Sequence, residues 1–230
     1  MVAATSLPYA RRAMNHTKTA WVNIKIDIMT HDDAVFWDEW IQPMIQGEAL
    51  LAEAHGEATP RADRYWKWPD IRNLLPLTQL MQRRRCQALT IFVENIDGSP
   101  VPAGMLLLIE RYPWPIANAS ITHSTFTWFL SSAPIAALKA LAVADPPSLG
   151  RILIDTALIT SKSLGSDGQM WLHAAPSGGF KLAAFYSRIC GMSALPVGTP
   201  IPLGRRSDGR HFFATSDLAD ELIEELKHTR

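Results

Sequence analysis

The chain has 230 residues, of which 47% are hydrophobic and 19% charged. That suits one globular domain with decorations and excludes a disordered or fibrous chain. Lys+Arg and Asp+Glu number 22 each, so the formal charge is zero, which argues against a surface built to hold nucleic acid.

Residues 1–19 include Arg11 and Arg12 but no continuous apolar segment. They read as a flexible tail rather than a signal peptide, with Met14 as a second candidate start. No apolar run reaches the roughly 18 residues of a membrane span, so the cytoplasm is the expected location. Residues 20–29 alternate Val22, Ile24, Ile26 and Ile28 with Asn23, Lys25 and Asp27, the pattern of a strand with one buried face. Thr30 is a helix N-cap candidate. Val35, Phe36, Trp40 and Met44 follow at helical spacing, with Pro43 near the end. Residues 49–54 add a helical turn that His55-Gly56 ends, and Thr59-Pro60 mark a break.

Trp66 and Trp68 sit in an aromatic cluster, read as a lid over the core in preference to a substrate-facing wall. The runs 86–96 and 102–111, joined by Asp97-Gly98, predict a hairpin. The second run barely alternates, which marks a central strand buried on both faces. Residues 120–132 predict another strand. Ile121, His123, Thr125, Thr127 and Phe129 share one face, and Thr122, Ser124, Phe126, Trp128 and Leu130 the other. Residues 136–147 read as an extra helix or a further strand.

Gly150 opens a helix to about Ser163 that buries Leu153, Ile154, Ala157, Leu158 and Ser161, closed by Leu164-Gly165. Residues 169–174 form a strand carrying His173. Residues 181–189 form a helix that aligns Leu182, Phe185, Tyr186 and Ile189. A late strand covers 210–215, and Thr215 or Ser216 caps a last helix with Leu218, Leu222 and Leu226 in register. Gly178-Gly179 and 195–203 are loops. The cysteines, Cys86 and Cys190, have no metal-ligand spacing and fit a reducing compartment. Cys190 reads as a small buried thiol.

The order strand, turn, helix, strand, helix over 124–192 ends in Phe185-Tyr186-Ser187-Arg188-Ile189-Cys190-Gly191-Met192. It resembles the core of the acetyl-CoA-dependent N-acetyltransferases of the GNAT superfamily, whose last core helix ends F-Y-x-x-x-G-F/M. The resemblance implies an α/β (α+β) fold: a mixed, mostly antiparallel central sheet, flanked by helices and splayed at strand four. It implies a single domain over 20–230 with an insertion around 135–147. Two placements compete for strand four, 126–134 and 140–147. The first is preferred, because similar members read strand, Ser-Ala-Pro, loop, helix.

The resemblance further implies acetyl-CoA as co-substrate and direct acetyl transfer to a primary amine. The acceptor is a small molecule, peptide or protein that the sequence does not identify. Leu130, Ser131 and Ser132 would face the pantetheine arm. Ser148, Leu149, Gly150, Arg151 and Ile152 would cradle the pyrophosphate, since a helix N-terminus favours an anion. The family pattern Q/R-x-x-G-x-G/A reads here Asp145-Pro146-Pro147-Ser148-Leu149-Gly150. Only the last glycine is kept, and an aspartate stands at the basic position. Ser148 is then a cap or phosphate donor, and Arg151 the replacement charge.

Tyr186 is the family-matched general acid for the leaving thiolate and a cofactor contact. His173 is the candidate base, weighed against a purely structural strand histidine and against Glu94, His123 and ordered water. G-x-S-x-G, P-loop, H-E-x-x-H and paired metal cysteines are missing, so no metal is expected. The alternative function is a GNAT-shaped binding or interaction module that has lost turnover, motivated by the degenerate loop. Neither membrane nor nucleic acid is an expected partner, and a homodimer is open.

Overall fold

The computed structural model describes residues 7–56, 61–115, 123–202 and 204–230. Eight strands form one sheet in the order β1 (Arg12–Met14), β2 (Trp21–Ile28), β3 (Cys86–Glu94), β4 (Pro100–Pro113), β5 (His123–Ser132), β6 (Met170–His173), β10 (His211–Ala214), β7 (Ser193–Ala194). A separate hairpin pairs β8 (Pro200–Ile201) with β9 (Arg205–Arg206). Only β5 and β6 run parallel; the other neighbours in the large sheet are antiparallel. Helices α1 (His31–Phe36), α2 (Gln42–Ala54), α3 (Trp68–Gln82), α4 (Ile135–Ala140), α5 (Gly150–Ser163), α6 (Gly179–Ala184) and α7 (Ser216–Glu225) flank the sheet. This is the mixed, mostly antiparallel, helix-flanked architecture that the resemblance implies. Among the described residues, no helix is long and apolar enough to cross a membrane.

Local chemistry accounts for the elements. Thr30 caps α1 reciprocally with Asp33: its Oγ1 accepts from the Asp33 N–H at 3.1 Å, and the Asp33 carboxylate accepts from the Thr30 N–H at 2.7 Å. In the β3–β4 turn the Asn95 side chain accepts from the N–H groups of Asp97 and Ser99, and Gly98 takes φ of 76°. β4 is buried from 101 to 110, as its missing alternation predicts. Helix α5 is buried throughout 152–161. Its contact with the sheet is close, since a Cβ at Gly104 of β4 would lie 3.2 Å from Leu153.

Several expectations need correction. The stretch 1–19 is not all tail. β1 pairs with β2, Tyr9, Ala13 and Asn15 are buried, and the Tyr9 hydroxyl meets Thr160 Oγ1 at 2.9 Å. Tyr9, Ala10 and Ala13 join the main core, and so short a strand leaves no alternation to read. Pro43 does not end its helix. A π-helical stretch, Trp37–Ile41, joins α1 to α2 in one helical run, and Pro43 follows directly after that widened turn, where the regular bonding ladder is already interrupted. The 135–147 segment holds the short helix α4, and β5 takes the strand-four place. Ile121, Thr122, Thr59, Pro60 and Leu203 lie outside the described residues.

Asp155 is an unusual member of this core. It is 1% exposed; Arg230 Nη2 donates to its Oδ1 at 2.7 Å, and among the described residues its Oδ2 has no hydrogen-bond partner. Burial, opposed by Arg230, pushes the carboxyl up to about 6. The folded chain therefore holds this proton more tightly than the unfolded chain does. The stability it contributes is full below about pH 4 and is lost as pH rises through about 6, on the order of 3 kcal/mol. Asp155→Asn is expected to remove that slope from urea-unfolding free energies measured across this window; parent and variant curves that stay parallel would contradict it.

Candidate functional site

The site forms where β5 leaves β6. Thr125, Phe126 and Thr127 pair with Met170, Trp171 and Leu172. The register against β4 then shifts: Leu108 faces Thr127 but Leu107 faces Phe129, so Trp128 is an extra residue. Such a bulge bends its strand. From there to Ser132, β5 pairs with β4 alone. The bulge also corrects the predicted faces. Phe126 and Phe129 lie opposite Ile109 and Leu107, which share a face, while Leu130 joins the Thr127 side.

The splay opens a cleft of about 970 Å³. Leu130, Ser131, Ser132, Gly150, His173 and Tyr186 all line it. Ser148, Leu149, Arg151 and Ile152 do not contribute to that lining. Leu149 and Ile152 are core residues. Ser148 is exposed, and its N–H is held by Met14 O at 2.9 Å. It is not the helix cap either: Leu149 is, without a side-chain bond. Arg151 is engaged elsewhere, bidentate to Glu225 at 2.9 and 2.6 Å. Gly150 has a packing reason of its own, since a Cβ there would lie 3.0 Å from the Phe185 ring.

The end of β5 is clamped by residues that sequence reasoning missed. Ala133 N–H bonds to Ala103 O at 2.8 Å, so by antiparallel alternation Ser132 and Leu130 turn their backbone groups toward the gap. Arg61 Nη2 donates to the Ser132 carbonyl at 2.6 Å. The same guanidinium grips Asp63 at 3.0 and 2.6 Å, and Ser131 Oγ donates to Asp63 as well. Gln42 Nε2 holds the Asp63 carbonyl at 2.8 Å. The stretch Leu130–Ser132, expected to face the pantetheine arm, is thus partly occupied by this clamp.

Tyr186 lies in the π-helical stretch Phe185–Ile189 that continues α6. Its ring packs against Phe185 and Phe212. Burial, with Cys190 and Asp63 nearby, pushes the phenol above its ordinary value, so it stays protonated. Burial likewise pushes the Cys190 thiol up to about 12, which makes it an inert core group. Trp68 is fully buried, whereas Trp66 stands edge-on to Phe129 at 4.9 Å and lines the cleft. The aromatic pair therefore divides between core and wall.

His173 ends β6. Its Nε2 meets Asp208 Oδ2 at 3.0 Å, and its ring stacks on His211 at 4.3 Å. Burial acts to raise the Asp208 carboxyl, but its bonds to His173 and the Arg210 N–H outweigh that and hold it below its usual range. Burial, then the His173 charge, lowers His211. Arg210 fastens the region by donating to the carbonyls of Ala174, Ala175 and Gly179 at 2.8–3.0 Å. The spacing Asp-x-x-His at 208–211 was visible in the sequence, but only strand register brings it to His173. Of the rival bases, Glu94 is exposed at the end of β3, and His123 starts β5 and lines a separate concavity with Arg83, Arg84 and Arg111.

No family model matches the chain, and no curated relative does. Solved structures similar to it include a mutant AtaT toxin bound to the C-terminus of the antitoxin AtaR and acetyl-CoA, at 14% identity over 86% of this chain and 97% of that one, TM-score 0.45. The PaiA N-acetyltransferase from Thermoplasma acidophilum with coenzyme A matches at 15% identity over 83% and 96%, TM-score 0.43. A mutant of the spermidine N-acetyltransferase SpeG from Vibrio cholerae matches at 14% over 85% and 95%, TM-score 0.45. At such scores these likenesses decide nothing about function.

Proposed function

We propose that the protein is an acyl-CoA-dependent N-acyltransferase that moves an acetyl group from acetyl-CoA to a primary amine. The observation that carries this reading is the bulged splay of β5 from β6, with a protonated phenol and an imidazole lining the same gap. In the reaction the amine nitrogen attacks the thioester carbonyl and the C–S bond breaks. His173, directly or through water, accepts the ammonium proton, and Tyr186 donates its proton to the departing sulfur. Asp208 orients the His173 ring through the Nε2 bond.

The residues present fit coenzyme A in part. Leu130 and the Ser132 N–H offer backbone partners for the pantetheine amides. The uncapped N-terminus of α5 at Gly150 suits a pyrophosphate. Arg151, the expected positive charge, is paired with Glu225 at an exposed position. Lys181 is the better candidate. It lines the cleft one helical turn before Phe185, the residue that packs on Gly150.

Titrating acetyl-CoA, coenzyme A and a long-chain acyl-CoA against the thermal midpoint tests the reading. A ligand that binds only the folded chain stabilises it by about 2.7 kcal/mol at a hundredfold excess over Kd, so at least one acyl-CoA is expected to raise the midpoint progressively. A folded sample that responds to none of the three favours the second reading, a GNAT-shaped binding module without turnover. That alternative is motivated by Asp145 at the family's basic position and by the Arg151–Glu225 pair.

A further inference from the structure

β6 and β10 pair so that His173 stands directly opposite His211. Opposed residues of neighbouring strands share a face, and the two imidazoles lie flat against each other. Asp208, three residues before His211, reaches both: His173 Nε2 to Oδ2 is 3.0 Å, and His211 Nδ1 to Oδ1 is 3.3 Å. The candidate ligand atoms of the three residues all lie within 4.8 Å of one another, and all three residues line the cleft. We propose that His173, Asp208 and His211 form a binding site for a divalent transition metal of the zinc class.

The donor set selects that class. Two imidazoles and one carboxylate suit zinc or cobalt, whereas calcium and magnesium prefer all-oxygen shells. Ligand atoms bound tetrahedrally at about 2.0–2.1 Å lie about 3.3 Å apart; the nitrogen–carboxylate separations, 3.0 and 3.3 Å, are near that size but run to the two different oxygens of Asp208, so seating one ion needs the stacked rings to turn. One supporting contact is in place: Arg210 N–H donates to Asp208 Oδ1 at 2.9 Å, and such an outer contact fixes a ligand's orientation before an ion arrives. Ser207 Oγ, 3.3 Å from His211 Nδ1, touches the ligating nitrogen itself and gives way when an ion binds.

Three protein ligands leave a coordination position free, and the cleft is the side from which it can be reached. Arg205 and Arg206 line the same cleft. Their charge opposes a dication and favours an anionic fourth ligand. The ion also competes with the base. Metal on the Nε2 of His173 leaves the ring proton on Nδ1, and the ring then has no lone pair with which to take a proton from an amine. This consequence rests on the proposed acyl transfer; the site itself does not.

The test is a titration of Co²⁺ into chelator-treated, full-length protein, followed by the visible d–d bands of low-coordinate cobalt and then by displacement with Zn²⁺. A saturable band that zinc abolishes is expected. Asp208→Asn, at a partly exposed position, and His173→Gln should each weaken the cobalt affinity about tenfold or more. His31→Gln, which removes an exposed imidazole elsewhere, should leave it unchanged. Thermal melts check that each variant is folded. The proposal is overturned by the lack of a saturable band in the parent, or by a band that folded Asp208→Asn and His173→Gln both retain. Neither readout requires acyl transfer, so failure here leaves the acyltransferase reading standing, and the reverse holds too.

Discussion

Tyr186→Phe is expected to lower kcat for acyl transfer about a hundredfold or more, with little change in KM and little change in stability. The size follows from what a positioned proton donor contributes in the transition state, about 10²–10⁴ in rate. The selectivity follows from the setting. The ring is packed between Phe185 and Phe212, and phenylalanine keeps that packing. Among the described hydrogen bonds none involves the Tyr186 hydroxyl, so the fold loses no partner when it is removed. A kcat loss without a KM change marks an interaction made in the transition state rather than on binding. Because burial raises the phenol, its ionisation should not limit the rate below about pH 10. Thiol release is the assay, once an amine acceptor has been found by screening. A variant that turns over at the parent rate removes Tyr186 from the chemistry and leaves it a core residue.

What could be read in the sequence was what depends on near neighbours. Thr30 reads as an N-cap, and it caps α1; the reciprocal bond with Asp33, three residues on, is added by the structure. The missing alternation of β4 announces burial on both faces, and 101–110 are buried. Phe185 and Tyr186 are adjacent, and both reach the cleft. What stayed hidden depends on register or on distant partners. One extra residue at Trp128 inverts the faces of the rest of β5, and no propensity at a single position marks a bulge. The Asp208-x-x-His211 spacing becomes chemistry only when β10 sets His211 against His173. Arg151 looked free for a phosphate because its partner, Glu225, lies far along the chain on α7. Residues 12–14 looked like tail because a three-residue strand carries too few positions to alternate.

The clamp of Arg61 and Asp63 on the end of β5 shows the same dependence on distant partners, and its removal is expected to cost a large share of the stability. Arg61→Ala should lose about 3 kcal/mol. Its side chain is 28% exposed while that of Asp63 is only 7% exposed, so the substitution strands a carboxylate that water reaches poorly. Breaking such a pair from one side costs about 3–5 kcal/mol, and the partial exposure of the arginine places this case at the low end. The Ser132 carbonyl loses its donor at the same time. Ser131 and Gln42 keep their hold on Asp63, so the loop stays anchored and the loss remains measurable by urea unfolding at an unchanged m-value. The double variant Arg61→Ala, Asp63→Asn distinguishes charge from packing. Neutralising the stranded group should recover a large part of the loss, because residues in one ion-pair network do not act additively. If the double variant is no more stable than Arg61→Ala alone, the arginine works by filling space over the end of β5, and the cleft wall is held by packing rather than by charge.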